Sequence, residues 1–264
     1  MPGIDDGSPD LETSLEMARL AVADGIEVMA CTPHIMAGVY SNSAASIRAD
    51  IATLADQLRL AGIPLQLVSG ADIHLSPSFA VDFASGLVLG LNESRYFLLE
   101  PPHHVMPPRL EDFAFAMIAA GHHPILTHPE RLTWIEGQYE VVERLYAAGV
   151  LMQITGGSLT GRFGRRPQYW AEKMLAEGRV HLLATDAHDT RKRPPLLAEA
   201  RDAAARLLGN EEAQRLVVTN PLYILQNVLP SELRSASGGL GREQKSFLGW
   251  LRQFGGGRTR GKDI

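Results

Sequence analysis

The sequence predicts an α/β protein, a parallel β-barrel wrapped by helices. Three observations carry that reading. One local grammar recurs along the chain: an amphipathic helix, a glycine, a short apolar strand, then a polar residue. About six such strands can be counted, and they are almost continuously apolar, as strands buried on both faces must be. Finally, Asp6, His34, Asp72, Glu100, His128, Arg131, Asp186 and His188 recur, all but Asp6 at or just beyond a strand's C-terminal end. That is the end of a parallel barrel where side chains from distant strands converge.

The elements follow in order. Ser8 and Pro9 read as the N-cap and first position of a helix carrying Leu11, Leu15, Ala18 and Val22 at helical spacing, with Gly25 as its stop. Ile26 to Cys31 is a short apolar strand ending in Thr32-Pro33-His34. Ile47, Ile51, Leu54 and Leu58 mark the second helix, closed by Gly62. The strand Leu65 to Val68 then leads to Gly70-Ala71-Asp72, and Tyr96 to Leu99 runs into Glu100. A helix around Phe113 to Ala120 precedes the strand Ile125 to Thr127, which ends at His128. Val141 to Ala148 is helical before the strand Leu151 to Ile154, and Tyr169 to Ala176 before Val180 to Ala184, which ends at Asp186. Gly25, Gly62, Gly121, Gly149 and Gly178 each stand where a left-handed helix C-cap belongs. The chain opens at Met1 inside what reads as a first active-site loop, with no strand ahead of it.

Length and composition bound the function. The chain has 264 residues, 45% of them apolar, which suits one large domain rather than two. A net charge of −5 gives no footing for nucleic acid, and the single cysteine excludes a disulfide framework. With no apolar run of membrane-spanning length and no signal-peptide pattern, the expectation is a cytoplasmic protein. The expected domain covers residues 1–229, and residues 230–264 read as a flexible tail. Within that tail Phe247, Leu248, Trp250, Leu251 and Phe254, with Lys245 and Arg252, suit a short basic amphipathic helix for peripheral contact with a membrane or a partner; a frayed terminus is the plainer alternative.

The chemistry-bearing residues each have a plain alternative. Asp186-Ala187-His188 can aim two side chains at neighbouring metals, or be a capping Asp beside a solvated His. In His128-Pro129-Glu130-Arg131 the imidazole can bind a metal and the guanidinium can fork onto phosphate oxygens; otherwise Arg131 pairs with a carboxylate such as Glu130. Glu100 ends an apolar strand, costly to bury unless paired or metal-bound. Asp72, and Asp6 within Asp5-Asp6-Gly7, are turn residues if they stand alone, and His34 after Thr32-Pro33 completes the set. Their joint placement at strand ends favours a site for Mn, Fe or Zn over Ca. His103, His104 and His122 read as exposed loop residues, His74 and His123 as near the mouth, His181 as structural. Cys31 is no phosphatase nucleophile, because Ala37 stands six residues later where a phosphate-binding Arg would be needed.

Pro2-Gly3-Ile4-Asp5-Asp6-Gly7, Thr32-Pro33-His34, Gly70-Ala71-Asp72-Ile73, Ser94-Arg95-Tyr96 with Glu100, His128-Pro129-Glu130-Arg131, Thr185-Asp186-Ala187-His188 and Asn220-Pro221 together resemble the capsule-locus tyrosine phosphatases of bacteria, the CpsB/YwqE-like branch of the polymerase-and-histidinol-phosphatase (PHP) superfamily. The resemblance implies a distorted parallel (β/α)7 PHP-type barrel with a trinuclear centre, commonly manganese. It implies hydrolysis of phosphotyrosine on a tyrosine autokinase of the polysaccharide export machinery. On this resemblance Asp6, His34 and His188 hold one ion and Glu100 and His128 a second. Asp72, where relatives usually have Glu, bridges to a third held by Asp186. Arg131 binds phosphate, assisted by Arg193. Relatives carry an Asp-x-His-x-His strand just before the Pro-Gly-Ile-Asp-Asp-Gly block, and neither of its histidines is in this sequence. The expectation is a barrel without its first strand, with an upstream start as the plainest account. Two other functions stay open: a small-molecule phosphatase such as one acting on histidinol phosphate, and a non-catalytic module that binds phosphotyrosine or a kinase.

Overall fold

Six parallel strand positions build the sheet, at the places the apolar runs predict. The structure is a computed structural model that describes residues 1–233 apart from positions 37, 76–78, 80–82, 84, 87 and 88. The first two positions are broken in the middle. β1 (Val28–Cys31) resumes past Thr32-Pro33 as β2 (His34–Ile35), and β3 (Gln66–Ser69) resumes past Gly70-Ala71 as β4 (Asp72–His74). β1 pairs with β3, and β2 opens a second sheet in the order β2-β4-β5-β6-β7-β8, every pairing parallel. The later strands are β5 (Tyr96–Glu100), β6 (His123–Thr127), β7 (Leu151–Thr155) and β8 (Leu182–Ala184).

The breaks have local causes. Pro33 cannot donate to a ladder, yet its carbonyl accepts from Asp72 N at 3.1 Å, so register is carried across the interruption. A Cβ on Gly70 would lie 2.8 Å from Leu91 Cδ2 and 3.0 Å from Thr32 Cγ2, so only glycine lets these segments approach. The result places His34 opposite Asp72, and His74 opposite Glu100 on the next strand.

Helix α1 (Leu11–Ala23) precedes β1, and α2 (Ala44–Leu60), α3 (Leu110–Ala119), α4 (Ile135–Ala147), α5 (Gly156–Leu159) and α6 (Arg165–Ala176) fall between later strands. The cap of α1 differs from expectation. Asp10, not Ser8, accepts from Thr13 N at 2.8 Å, while Ser8 is buried against the Ser14 hydroxyl. A carboxylate two residues nearer the helix outcompetes the hydroxyl. The five stop glycines all take positive φ, between +67° and +99°. Past Asp189, where the sequence pattern predicts no element, the structure adds a helical run: α7 (Ala198–Leu208), α8 (Asn210–Gln214), a π-turn over Arg215–Thr219 and α9 (Asn220–Leu225). The Asn220 side chain donates to the His181 carbonyl at 2.6 Å, tying that run to the N-terminal end of β8.

Two apolar layers follow from strand alternation. Phe97, Leu99, Leu126, Met152, Ile154 and Leu183 face the helices. Tyr96, Leu98, Ile125, Leu151 and Leu182 face the other way, clustered with Ile224 and Leu233. Burial on both faces explains why the strands read as unbroken apolar runs. Among the described residues β1 pairs only with β3 and β8 only with β7. The tail cluster from Phe247 to Phe254 lies outside the described residues. No helix among the described residues is long and apolar enough to cross a membrane.

Candidate metal centre

The C-terminal strand ends deliver their polar residues to one place. His34 comes from β2, Asp72 from β4 and Glu100 from β5; His128 follows β6; Asp186 and His188 follow β8. Glu100 is the hub. Its carboxylate lies 3.1 Å from His128 Nε2, 3.3 Å from His34 Nε2 and 3.3 Å from His103 Nε2. His34 Nδ1 in turn lies 3.2 Å from Asp6 and 3.6 Å from Asp5, and His188 Nε2 lies 3.5 Å from Asp6. Three sets with ligand atoms within 4.8 Å of one another result: Asp5, Asp6 and His34; His34, Asp72 and Glu100; Glu100, His103 and His128. They share His34 and Glu100, so they form a continuous row.

The charges of the row are strongly coupled to one another. Burial alone would raise the Glu100 carboxyl, but hydrogen bonds from His103, His128 and His34 hold it well below the usual carboxylate range. His34 is raised to about 11, by its hydrogen bond to Asp5 first and to Glu100 second. Asp5 would also be raised by burial, yet His34 and the Gly7 amide hold it at about 2. Asp72 is pushed up by burial, then by the charge of Glu100. Its Oδ1 is buried without a hydrogen-bond partner, as is His128 Nδ1. An orphaned buried carboxylate oxygen is costly, and a divalent ion would satisfy it. Carboxylates and imidazoles in this mixture fit Mn, Fe or Zn.

Backbone strain falls on two of these residues. His128 has φ +35° and Asp186 φ +52°, left-handed conformations that non-glycine residues seldom adopt. Each costs on the order of 1–3 kcal/mol, a cost the surrounding fold must sustain to aim the side chain.

The arginines sit beside the row. Arg131 and Arg193 both bond the Asp186 carboxylate, and the Arg131 guanidinium lies 4.5 Å from the centre of the Phe163 ring. His128, Arg193 and Arg131 outweigh burial and hold Asp186 below its usual value. Asp186, which the resemblance makes a ligand of a third ion, is thus neutralised by the two residues it makes phosphate binders. Glu130 is not the partner of Arg131: fully buried, it accepts from Ser158 Oγ at 2.7 Å and Thr155 N at 3.1 Å.

Two members of the row escape sequence reasoning. Asp5 reads as half of a turn, and His103 as an exposed loop residue; the bend at Pro101-Pro102 returns His103 to Glu100 and sets its ring, tilted by 42°, 4.9 Å from that of His128. His122 packs on Phe83 at 4.7 Å, so it too is no exposed loop residue. His123 opens β6 at the end opposite the site, which corrects its placement near the mouth. His104 is exposed, His74 ends β4 beside Glu100, and His181 accepts from Met152 N at 3.0 Å in a structural role, all as expected. Cys31 lies in β1, its thiol pushed up to about 11 by burial, so it carries little thiolate.

The chain has clear relatives. Tyrosine-protein phosphatase YwqE of Bacillus subtilis is 31% identical over 90% of this chain and 96% of its own length. Tyrosine-protein phosphatase CpsB of Streptococcus agalactiae is 25% identical over 85% of this chain and 94% of its own. A chain from the crystal structures of YwqE from Bacillus subtilis and CpsB from Streptococcus pneumoniae, described as metal-dependent tyrosine phosphatases, matches with a TM-score of 0.85 at 31% identity, over 91% of this chain and 96% of that one. The profile of the family described as capsular polysaccharide synthesis, CpsB/CapC, matches residues 1–226, and with these likenesses it makes this chain a member of the CpsB/CapC family.

Proposed function

We propose that this chain is a metal-dependent protein-tyrosine phosphatase that acts in the cytoplasm on the phosphotyrosines of a tyrosine autokinase and so regulates capsule or exopolysaccharide synthesis. The observation that carries the reading is the continuous row of acids and imidazoles centred on Glu100, with two arginines at its flank. The activity of the relatives, tyrosine-protein phosphatases, agrees with it. On this reading the six strand positions belong to a distorted (β/α)7 barrel of the PHP type, whose remaining position lies between β8 and β1. Residues 1–229 form the phosphatase domain and residues 230–264 its tail.

Asp6, His34 and His188 would hold one ion, and Glu100 and His128 a second, with Asp72 between the second and a third at Asp186. His103 is placed to add to the second. Divalent ions, Mn2+ first, would supply Lewis acidity and charge neutralisation for hydrolysis of a phosphate monoester. The chain's own residues do the rest. Arg131 and Arg193 exchange Asp186 for equatorial phosphoryl oxygens, and Phe163 keeps the Arg131 guanidinium in plane for that fork. Asp5 orients His34 by accepting from its backbone N–H at 3.1 Å.

The test is phosphate release from phosphotyrosine peptides by the purified chain, with and without Mn2+, beside histidinol phosphate. Mn-dependent turnover of the peptide, abolished by chelator and exceeding that of histidinol phosphate, is expected. Activity indifferent to chelator would refute the mechanism. Tight peptide binding without single-turnover release would make the chain a binding module instead.

A further inference from the structure

Two loops beside the metal row carry cations that no acid answers. Arg162 lies between α5 and α6, and Arg191 and Lys192 follow β8; all are exposed, and among the described residues none has a carboxylate within ion-pair distance. Exposed arginines elsewhere are mostly paired, Arg48 with Glu93, Arg109 with Asp112 and Arg144 with Glu111. The chain as a whole is acidic, with a net charge of −5. The two loops touch, because the Arg162 guanidinium donates to the Arg191 carbonyl at 3.4 Å. Asp189 accepts the backbone N–H groups of Arg191, Lys192 and Arg193, so it shapes its loop without pairing with their side chains. Arg165 opens α6, whose first turn holds no acid, the reverse of what a helix dipole favours. Like charges gathered in this way repel one another, a cost the fold sustains.

The patch is continuous with the two arginines at the row. Phe163, next to Arg162, lies 4.5 Å beneath the Arg131 guanidinium. Arg193 ends the turn that Asp189 organises, and its guanidinium bonds Asp186. Arg162, Phe163 and Arg193 line one cleft, and Glu199, the acid of that cleft, pairs with neither arginine. The unanswered cations thus border the place where Arg131 and Arg193 would hold a phosphoryl group. Guanidinium groups fork onto carboxylate and phosphate oxygens alike. We infer that Arg162, Arg191 and Lys192 form a subsite for anionic side chains flanking the phosphotyrosine of the substrate, so that acidic phosphopeptides are preferred. This subsite rests on the phosphatase reading and sets the sequence selectivity of that reaction. It lies outside the reacting centre, so it lowers KM and leaves kcat nearly unchanged. Exposed ion pairs are individually weak and are screened by salt, so the three cations together supply about tenfold at low ionic strength.

The probes are phosphotyrosine pentapeptide amides flanked on both sides by aspartate, alanine or lysine, a further one in which a second phosphotyrosine replaces one aspartate, and p-nitrophenyl phosphate, which has no flank. With the full chain and Mn2+, kcat/KM should be about tenfold higher for the aspartate peptide than for the alanine peptide, chiefly through KM, and lowest for the lysine peptide. The preference should fade as salt rises. The combined variant Arg162→Ala, Arg191→Ala, Lys192→Ala should turn over the aspartate and alanine peptides equally and keep its rate on p-nitrophenyl phosphate. Each preference is a ratio within one preparation, so a lower folded fraction in the variant cancels. A gain from the second phosphotyrosine beyond that from aspartate assigns the subsite to clustered phosphotyrosines, and no such gain assigns it to carboxylates. Equal kcat/KM for the aspartate and alanine peptides in the unaltered chain, or an undiminished ratio in the combined variant, would overturn the subsite. No turnover of any probe, p-nitrophenyl phosphate included, would instead sink the phosphatase reading. Anisotropy of the same peptides carrying fluorescein then decides: tighter binding of the aspartate peptide, lost in the combined variant, upholds the subsite, and equal binding overturns it.

Discussion

Uptake of a divalent ion should expel protons, and the size of the effect can be worked from His34. Hydrogen bonds to Asp5, then to Glu100, raise that imidazole to about 11 against the opposing pull of burial, so in the metal-free protein it is protonated throughout pH 6–8. A metal accepts only the neutral ring. Each ion that takes His34 must therefore displace one proton, and the logarithm of the apparent affinity should climb by about one per pH unit, roughly 1.4 kcal/mol each. Asp72, raised by burial and by Glu100, steepens the slope if it too is protonated before the ion arrives. The sign for the metal-free fold is opposite. A folded pKa above the ordinary 6.5 gives stability that is fully present below pH 6.5 and is lost as pH rises toward 11. The assay is competition for Mn2+ with a chromophoric chelator from pH 6 to 8, with calorimetry in buffers of different ionisation enthalpy to count protons. Asp5→Asn, which removes the first-named partner, should move the flattening of the slope to lower pH. A flat affinity with no proton release would refute the reasoning, because His34 would then be neutral before the ion arrives.

Arg131→Ala should lower kcat on a phosphotyrosine peptide about 10²- to 10³-fold, and Arg131→Lys should not restore it, since a point charge cannot reproduce the fork. Cys31→Ser should leave the rate unchanged, because a buried thiol pushed up to about 11 is no nucleophile; a dead variant that still folds would contradict this. Glu130 is raised to about 7 by burial, so the folded state binds more protons than the unfolded between pH 4.5 and 7 and stability falls across that window. Glu130→Gln removes the dependence, and its Tm relative to the unaltered chain should rise between pH 5 and pH 8. Leu126→Ala, fully buried in the helix-facing layer, should cost about 2–5 kcal/mol in denaturant unfolding.

The strand positions are legible because a parallel strand buried on both faces must be continuously apolar, and because glycine marks each helix stop. The ends of strands were therefore legible too, and with them His34, Asp72, Glu100, His128 and Asp186. What escaped depends on contacts between distant segments. The breaks at Thr32-Pro33 and Gly70-Ala71 reflect a close approach to Leu91 that no local pattern records. His103 joins the row only because the chain bends at Pro101-Pro102, and Asp5 only because its loop folds over His34. The pairing of Asp186 with Arg131 and Arg193 spans separate loops. The helices past Asp189 leave little periodic signal because α7 is alanine-rich, α8 and α9 are only five and six residues long, and no strand follows among the described residues to frame them.

The central claim is that acids and imidazoles from separate strand ends hold metal together. Anomalous scattering from crystals soaked in Mn2+ tests it directly. The expected peaks lie along the row, between His34, Asp72 and Glu100 and between Glu100, His103 and His128. Peaks confined to surface carboxylates elsewhere, with the row empty at saturating Mn2+, would contradict it.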